Sequence, residues 1–215
     1  NILAILIFCF VIGCSSEDCP QGINKLPKYG SQKKCKEQIK IDSDFLADCD
    51  KNFENRKIAS KYHVERAWDY FYKNQLDTAM MRFNQAWLLD SLNADVYWGF
   101  GNILGIQSDF KGSIMFLEKS IELNPDNPKV WQSISTSYGQ QFFQTKEKRM
   151  LNKTIECLKK SLELDPKNAQ VLGQLTGAYS YFMQKDSASK YLKLADEIDP
   201  TMINPEVRKI LTEKN

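Results

Sequence analysis

One pattern recurs every 34 residues and restricts what this chain can fold into. With Ser60, Ala94, Pro128 and Ala169 laid on one another, the eighth position reads Ala67, Gly101, Ser135 and Thr176, all small. The eleventh reads Tyr70, Leu104, Tyr138 and Tyr179, all large. Farther along, Ala79, Ser113, Thr154 and Ala188 are small, and the large Phe83, Leu117, Leu158 and Leu192 follow them. Ala86, Ser120, Ser161 and Ala195 are small again. Each unit closes on Leu89-Asp90-Ser91, Asn124-Pro125, Asp165-Pro166 or Asp199-Pro200. Apolar stripes at helical spacing, broken by a short polar turn, predict two helices per unit. Small positions let the two approach, and the closing proline stops the second. Such a pair cannot bury its apolar face alone, so the units must stack.

This arrangement resembles the tetratricopeptide repeat over residues 55–204, with units at about 60–93, 94–127, 128–168 and 169–202. The resemblance implies an all-α solenoid, a right-handed superhelix of about four helix pairs. It implies a surface for binding another protein or peptide, with no chemistry of its own. In unit one, Asp77 is expected to cap the second helix, and Asn55 the first. Unit three is longer: Pro166 lies 41 residues after Pro125, whereas Pro200 lies 34 after Pro166. The seven extra residues fall between Gly139 and Lys153. They are close to two helical turns at about 3.6 residues each, so each helix is expected to gain a turn. Phe142, Phe143, Met150 and Leu151 would form an apolar tip.

The start of the chain has its own signature. Ile2 to Ile12 form an apolar run, too short to span a bilayer and suited to a secretory signal. It leads into Val11-Ile12-Gly13-Cys14-Ser15-Ser16, which resembles the lipobox of bacterial lipoproteins. The resemblance implies a signal peptide over 1–13, lipid on Cys14 and a membrane-anchored protein of the bacterial cell envelope. Ser15 after the cysteine resembles outer-membrane members, where the host has two membranes. Neither Met nor a basic stretch precedes the run, so residues before Asn1 are expected. Residues 14–32 hold turn formers without periodicity and read as a flexible tether. Helical periodicity returns over 33–54, with Ile39, Leu46, Cys49 and Phe53 on one face and Asp42-Ser43 as a candidate break. At the far end, Asn204 and Pro205 start a capping helix over 205–213, with Val207, Ile210 and Leu211 facing inward.

An exported chain can oxidise its thiols. Setting aside Cys9 and Cys14, four cysteines remain: Cys19, Cys35, Cys49 and Cys157. Three pairings are open. Cys35 and Cys49 would lie about 21 Å apart on one straight helix and could not bond there. Cys157 reads as a small buried residue. His63, the sole histidine, reads as packing.

No metal set, cofactor loop or nucleophile–base pair is visible, so an enzyme gains no support. The net charge of +2 is spread through the chain, which speaks against nucleic acid. The resemblance places the first helix of each unit along the concave side. Candidate groove residues are Lys61, Trp68, Tyr72, Trp98, Asn102, Gln132 and Gln140. Aromatics and amides suit protein recognition. Asn102 could fix the register of an extended chain through both its donor and its acceptor. One alternative stays open: residues 33–53 could fold back over Trp68, Phe71 and Tyr72. Chaperone-binding repeats clamp a terminal carboxylate with cations. Asn102 matches that pattern, but Trp98, Ser133, Gln170 and Gln174 stand where its other polar and basic partners would be. The reading is a lipid-anchored scaffold for protein–protein interaction. Its alternative is an assembly factor for envelope machinery, of the pilus-biogenesis or outer-membrane type.

Overall fold

A computed structural model of the chain describes residues 19–212. The described residues hold ten α-helices and no strand. Helix α1 is Lys36–Asn52; α2 Arg56–Tyr72 and α3 Leu76–Leu89 form unit one. Helices α4 Ala94–Ile106 and α5 Phe110–Leu123 form unit two, and α6 Pro128–Thr145 and α7 Lys148–Leu164 unit three. Unit four is α8 Ala169–Tyr181 with α9 Lys185–Ile198, and α10 Pro205–Thr212 closes the stack.

The sequence pattern has local causes. An asparagine opens every first helix: the side chains of Asn55, Asn93, Asn127 and Asn168 accept from Ile58, Asp95, Lys129 and Val171 backbone N–H groups. These bonds satisfy donors that a helix start leaves unpaired. Asp77 does not cap α3. Gln75 holds that place, and Asp77 lies in the first turn, where its carboxylate pairs with Lys25 at 2.6 Å. The turn inside each unit passes through one left-handed residue, at Asn74, Ser108, Lys146 and Met183.

All twelve small positions of the repeat are buried. At Gly101 an added Cβ would come within 2.5 Å of Leu117 Cγ, so the absent side chain sets how closely α4 and α5 approach. Hydroxyls latch the pairs at their far ends. Ser120 Oγ donates to the Ala94 carbonyl and Ser161 Oγ to the Pro128 carbonyl, both at 2.9 Å. In unit one the direction reverses, with Ser60 Oγ donating to the Ala86 carbonyl at 2.9 Å. Unit four has alanine at both places, Ala169 and Ala195.

Unit three takes its extra length as helix. Helix α6 has 18 residues against 13 in α4, and α7 has 17 against 14 in α5. The connecting turn is one residue shorter than in unit two, Lys146-Glu147 against Gln107-Ser108-Asp109, which balances the seven. Met150 and Leu151 are buried at the base of the extension. Phe142 and Phe143 lie against Tyr181 of α8, with ring centroids at 6.0 and 5.3 Å.

The N-terminal part departs from expectation. From Cys19 onward the segment read as a tether is docked on the solenoid. Its 3-10 turns, Ile23–Lys25 and Pro27–Ser31, lie along α3. The Asn84 amide donates to the Asn24 and Leu26 carbonyls, both at 2.9 Å. Cys19 is bonded to Cys35 with Cα atoms 5.1 Å apart, and Cys49 and Cys157 are free and buried. Asp42-Ser43 does not break α1, which runs as one helix. Its Cys49 packs with Ala59 and Leu89, aided by Phe45, Leu46 and Phe53. Ile39, expected on that face, is exposed. The segment thus covers the outer side of unit one and leaves Tyr72 open, so the fold-back alternative fails. At the other end Asn204 caps α10, its side-chain carbonyl accepting from the Glu206 backbone N–H at 2.8 Å. Leu211 packs inward, but Ile210 is exposed. Ile203, just before the helix, takes the buried place instead.

Candidate functional site

Stacking brings the first helices side by side and leaves a groove of about 700 Å³ between α4, α6 and α8. Tyr72, Trp98, Asn102, Gln132 and Gln140 line it together. Tyr72 stands at one end of the groove, 76% exposed. Lys61 and Trp68 are not on the lining. Lys61 is exposed near the start of α2, where its charge opposes the rise that burial imposes on the Asp95 carboxyl. Trp68 is half-buried, its ring 4.4 Å from that of Trp98 and 5.3 Å from that of Phe83. It supports the wall of the groove rather than facing the groove.

The polar lining is held in place by its own bonds. Trp98 Nε1 donates to Ser133 Oγ at 2.9 Å, and Ser133 Oγ donates to Asn102 Oδ1 at 3.2 Å. Asn102 Nδ2 donates back to the Trp98 carbonyl at 2.7 Å. This circuit joins α4 to α6. Asn102 therefore commits one amide hydrogen and one lone pair to this circuit, an engagement that the sequence does not show. One amide hydrogen and one lone pair remain. Gln132 Nε2 donates to Gln174 Oε1 at 3.2 Å and joins α6 to α8. Gln140 is exposed. Beneath them the Ser113 and Ser137 hydroxyls meet at 2.7 Å in a buried floor. Lys129 is the one charged side chain among the described lining residues. Amides and hydroxyls with a single cation suit a polar, uncharged ligand surface better than a carboxylate.

Phe110 and Asn168 are among the contributors that escaped sequence reasoning. Phe110 comes from α5, a second helix, whereas the repeat frame directs attention to first helices. Asn168 lines the groove while also capping α8, and its cap role hides the other. Titratable groups elsewhere are structural. His63 is held down to about 4 by burial, with the nearby Arg82 charge adding to the effect. Its Nε2 lies 3.9 Å from Cys49 Sγ on the outer side of unit one. Burial pushes the Cys157 thiol up to about 12, as befits a packed cysteine.

Residues 94–127 match the tetratricopeptide repeat family. No curated protein matches the chain. Among solved structures the chain resembles MamA, at 19% identity over 66% of this chain and 79% of that one, with a TM-score of 0.57. It resembles TTC0263, a thermophilic TPR protein of Thermus thermophilus, at 16% identity over 71% of this chain and 79% of that one, with a TM-score of 0.58. It resembles pilF of Pseudomonas aeruginosa at 14% identity, covering 73% of this chain and 67% of that one, with a TM-score of 0.62. At these identities the likeness speaks for the fold. That fold is a tetratricopeptide-repeat solenoid.

Proposed function

We propose that this repeat solenoid is a scaffold held on a bacterial envelope membrane by lipid on Cys14, with a groove that takes an extended, uncharged stretch of another protein. The observation that carries the reading is the groove's composition. Amides and hydroxyls reach it from three successive first helices, and each amide offers both a donor and an acceptor to a passing backbone. Ile106 and Phe110, at the Tyr72 end, supply apolar contact for a side chain. A preformed circuit such as Trp98–Ser133–Asn102 lowers the ordering cost of binding.

The membrane half of the reading rests on Val11-Ile12-Gly13-Cys14, which lies outside the described residues. Among the described residues no helix is long and apolar enough to cross a membrane. Metabolic labelling with a palmitate analogue tests the anchor: equal label on the wild-type and Cys14→Ala chains would refute it. The groove is tested separately with a photo-crosslinking residue at Gln140, against a control at the exposed Glu122 of α5. An adduct from Gln140 alone supports the groove. Adducts from both positions, or from neither, end the proposal.

A further inference from the structure

The extension of unit three gives the solenoid an uneven edge. Five added residues lengthen α6 by about 7.5 Å, and three lengthen α7 by about 4.5 Å. The tip therefore stands out beyond the turns of its neighbours. On it Phe143 is 44% exposed, and beside it Tyr181 is 59% and Met183 82% exposed. The Phe143 and Tyr181 rings are in contact at 5.3 Å, so the patch is continuous across two units. Cations flank it. Lys146, Lys148, Arg149 and Lys153 accompany a single acid, Glu147, between residues 142 and 153. Glu147 pairs with Arg149 at 3.2 Å, and Lys146 Nζ lies 5.6 Å from the Phe143 ring centroid. Exposed aromatic and methionine side chains ringed by lysine and arginine match the boundary between lipid headgroups and acyl chains. The positive charge complements anionic headgroups.

The docked N-terminal segment says which edge lies toward a membrane. Cys19 is fixed to Cys35, so only four residues, or five Cα–Cα steps, separate it from Cys14. Extended chain spans at most about 18 Å over that length. Lys25 then pairs with Asp77 in the first turn of α3, immediately after the turn inside unit one. The turns inside all units lie along one edge of a stack of helix pairs. Lys25 of the docked segment and the protruding tip thus both lie on that edge.

We infer that this edge, with Phe143, Tyr181 and Met183 at its tip, rests on an anionic lipid bilayer and orients the solenoid there. The inference builds on the lipid-anchor reading and adds a second, non-covalent contact. Its test replaces Tyr181 by Trp and, in a separate chain, Met115 by Trp. Met115 is 56% exposed in the middle of α5, away from the turns. Each full chain is placed on vesicles of phosphatidylcholine and phosphatidylglycerol containing a brominated lipid, and its emission is compared with that of wild type. The expected result is loss of the added emission for Tyr181→Trp and none for Met115→Trp, with less loss at high salt. Equal quenching at the two positions, or quenching at Met115→Trp alone, overturns the inference. Repeating the measurement on chains that also carry Cys14→Ala reads the edge without the lipid, so failure of the anchor is told apart from failure of the contact. If Phe143→Glu abolishes self-association in sedimentation while Tyr181→Trp stays unquenched, the patch belongs to a second copy of the chain, and the inference falls.

Discussion

The same substitution should have opposite signs at two glycines of this scaffold. Gly99 lies in α4, and a Cβ built there would meet the Phe83 ring at 2.1, 2.3 and 2.5 Å. Phe83 is fully buried, between Trp68 at 5.3 Å and Phe100 at 6.2 Å, so its ring cannot swing away without moving both neighbours. Overpacking of this kind costs about 1–3 kcal/mol, and three close ring atoms put Gly99→Ala at the upper end. The better helix propensity of alanine returns about 1 kcal/mol, leaving a net loss of about 2 kcal/mol. Gly177 lies in α8 with nothing within 4 Å of the same built atom. There only the propensity gain operates, and Gly177→Ala should stabilise by about 1 kcal/mol. Thermal unfolding followed by circular dichroism reads both. At this size, roughly 2–4 °C accompanies each kcal/mol, so the midpoint should fall by about 4–8 °C for Gly99→Ala and rise by about 2–4 °C for Gly177→Ala. A Gly99→Ala chain that melts at or above wild type would show that close approach of α3 and α4 does not depend on the missing side chain. A lowered midpoint for Gly177→Ala would refute the open space beside α8.

Two further outcomes follow from the outer side of unit one. Removing the Cys19–Cys35 bond with Cys35→Ser releases a loop of 16-residue separation, worth about 3 kcal/mol in the chain-entropy account. Limited trypsin digestion should then cut at Lys25 and Lys28 while α2 to α9 stay intact, and an unchanged digestion pattern would contradict the docking described above. His63 has a folded-state value depressed from 6.5 to about 4, so the folded protein binds fewer protons than the unfolded chain between those limits. Its contribution to stability is complete above about pH 6.5 and is lost as pH falls toward 4. In urea titrations across that window the slope against pH should be shallower for His63→Phe than for wild type; parallel curves would count against a neutral, buried imidazole.

The stacking core was legible because each repeat position repeats a physical demand. Ala79, Ser113, Thr154 and Ala188 differ in chemistry but agree in size, and size is what close helix approach selects. The length of unit three was legible for a similar reason, since seven residues nearly complete two turns. The docked segment was not. Ile23, Leu26 and Pro27 show no period, and the Asn84 amide that donates to the Asn24 and Leu26 carbonyls lies about sixty residues away in sequence. The Cys19–Cys35 pairing depends on that docking and shares its obscurity. In the site, residue types pointed to Tyr72, Gln132 and Gln140, which line the groove. They could not distinguish Trp68, turned into the wall, from Tyr72, one turn on and open to solvent. Nor could they show that Asn102 was already engaged by Ser133, because an amide's partners are set by the neighbouring helix.

The serine latches have a consequence for the order in which the stack comes apart. Units one, two and three each close their helix pair with a hydroxyl across the far end, and unit one is further held by α1 and the disulfide. Unit four has no such bond between Ala169 and Ala195, and its cover is the eight-residue α10, tied by the Arg208 fork on Asp196 at 2.9 and 2.6 Å. In a quasi-one-dimensional array, opening travels inward from whichever terminus is least held. The solenoid therefore has a firm end and a loose end, and unravelling begins at α10 and α9, long before it reaches the disulfide.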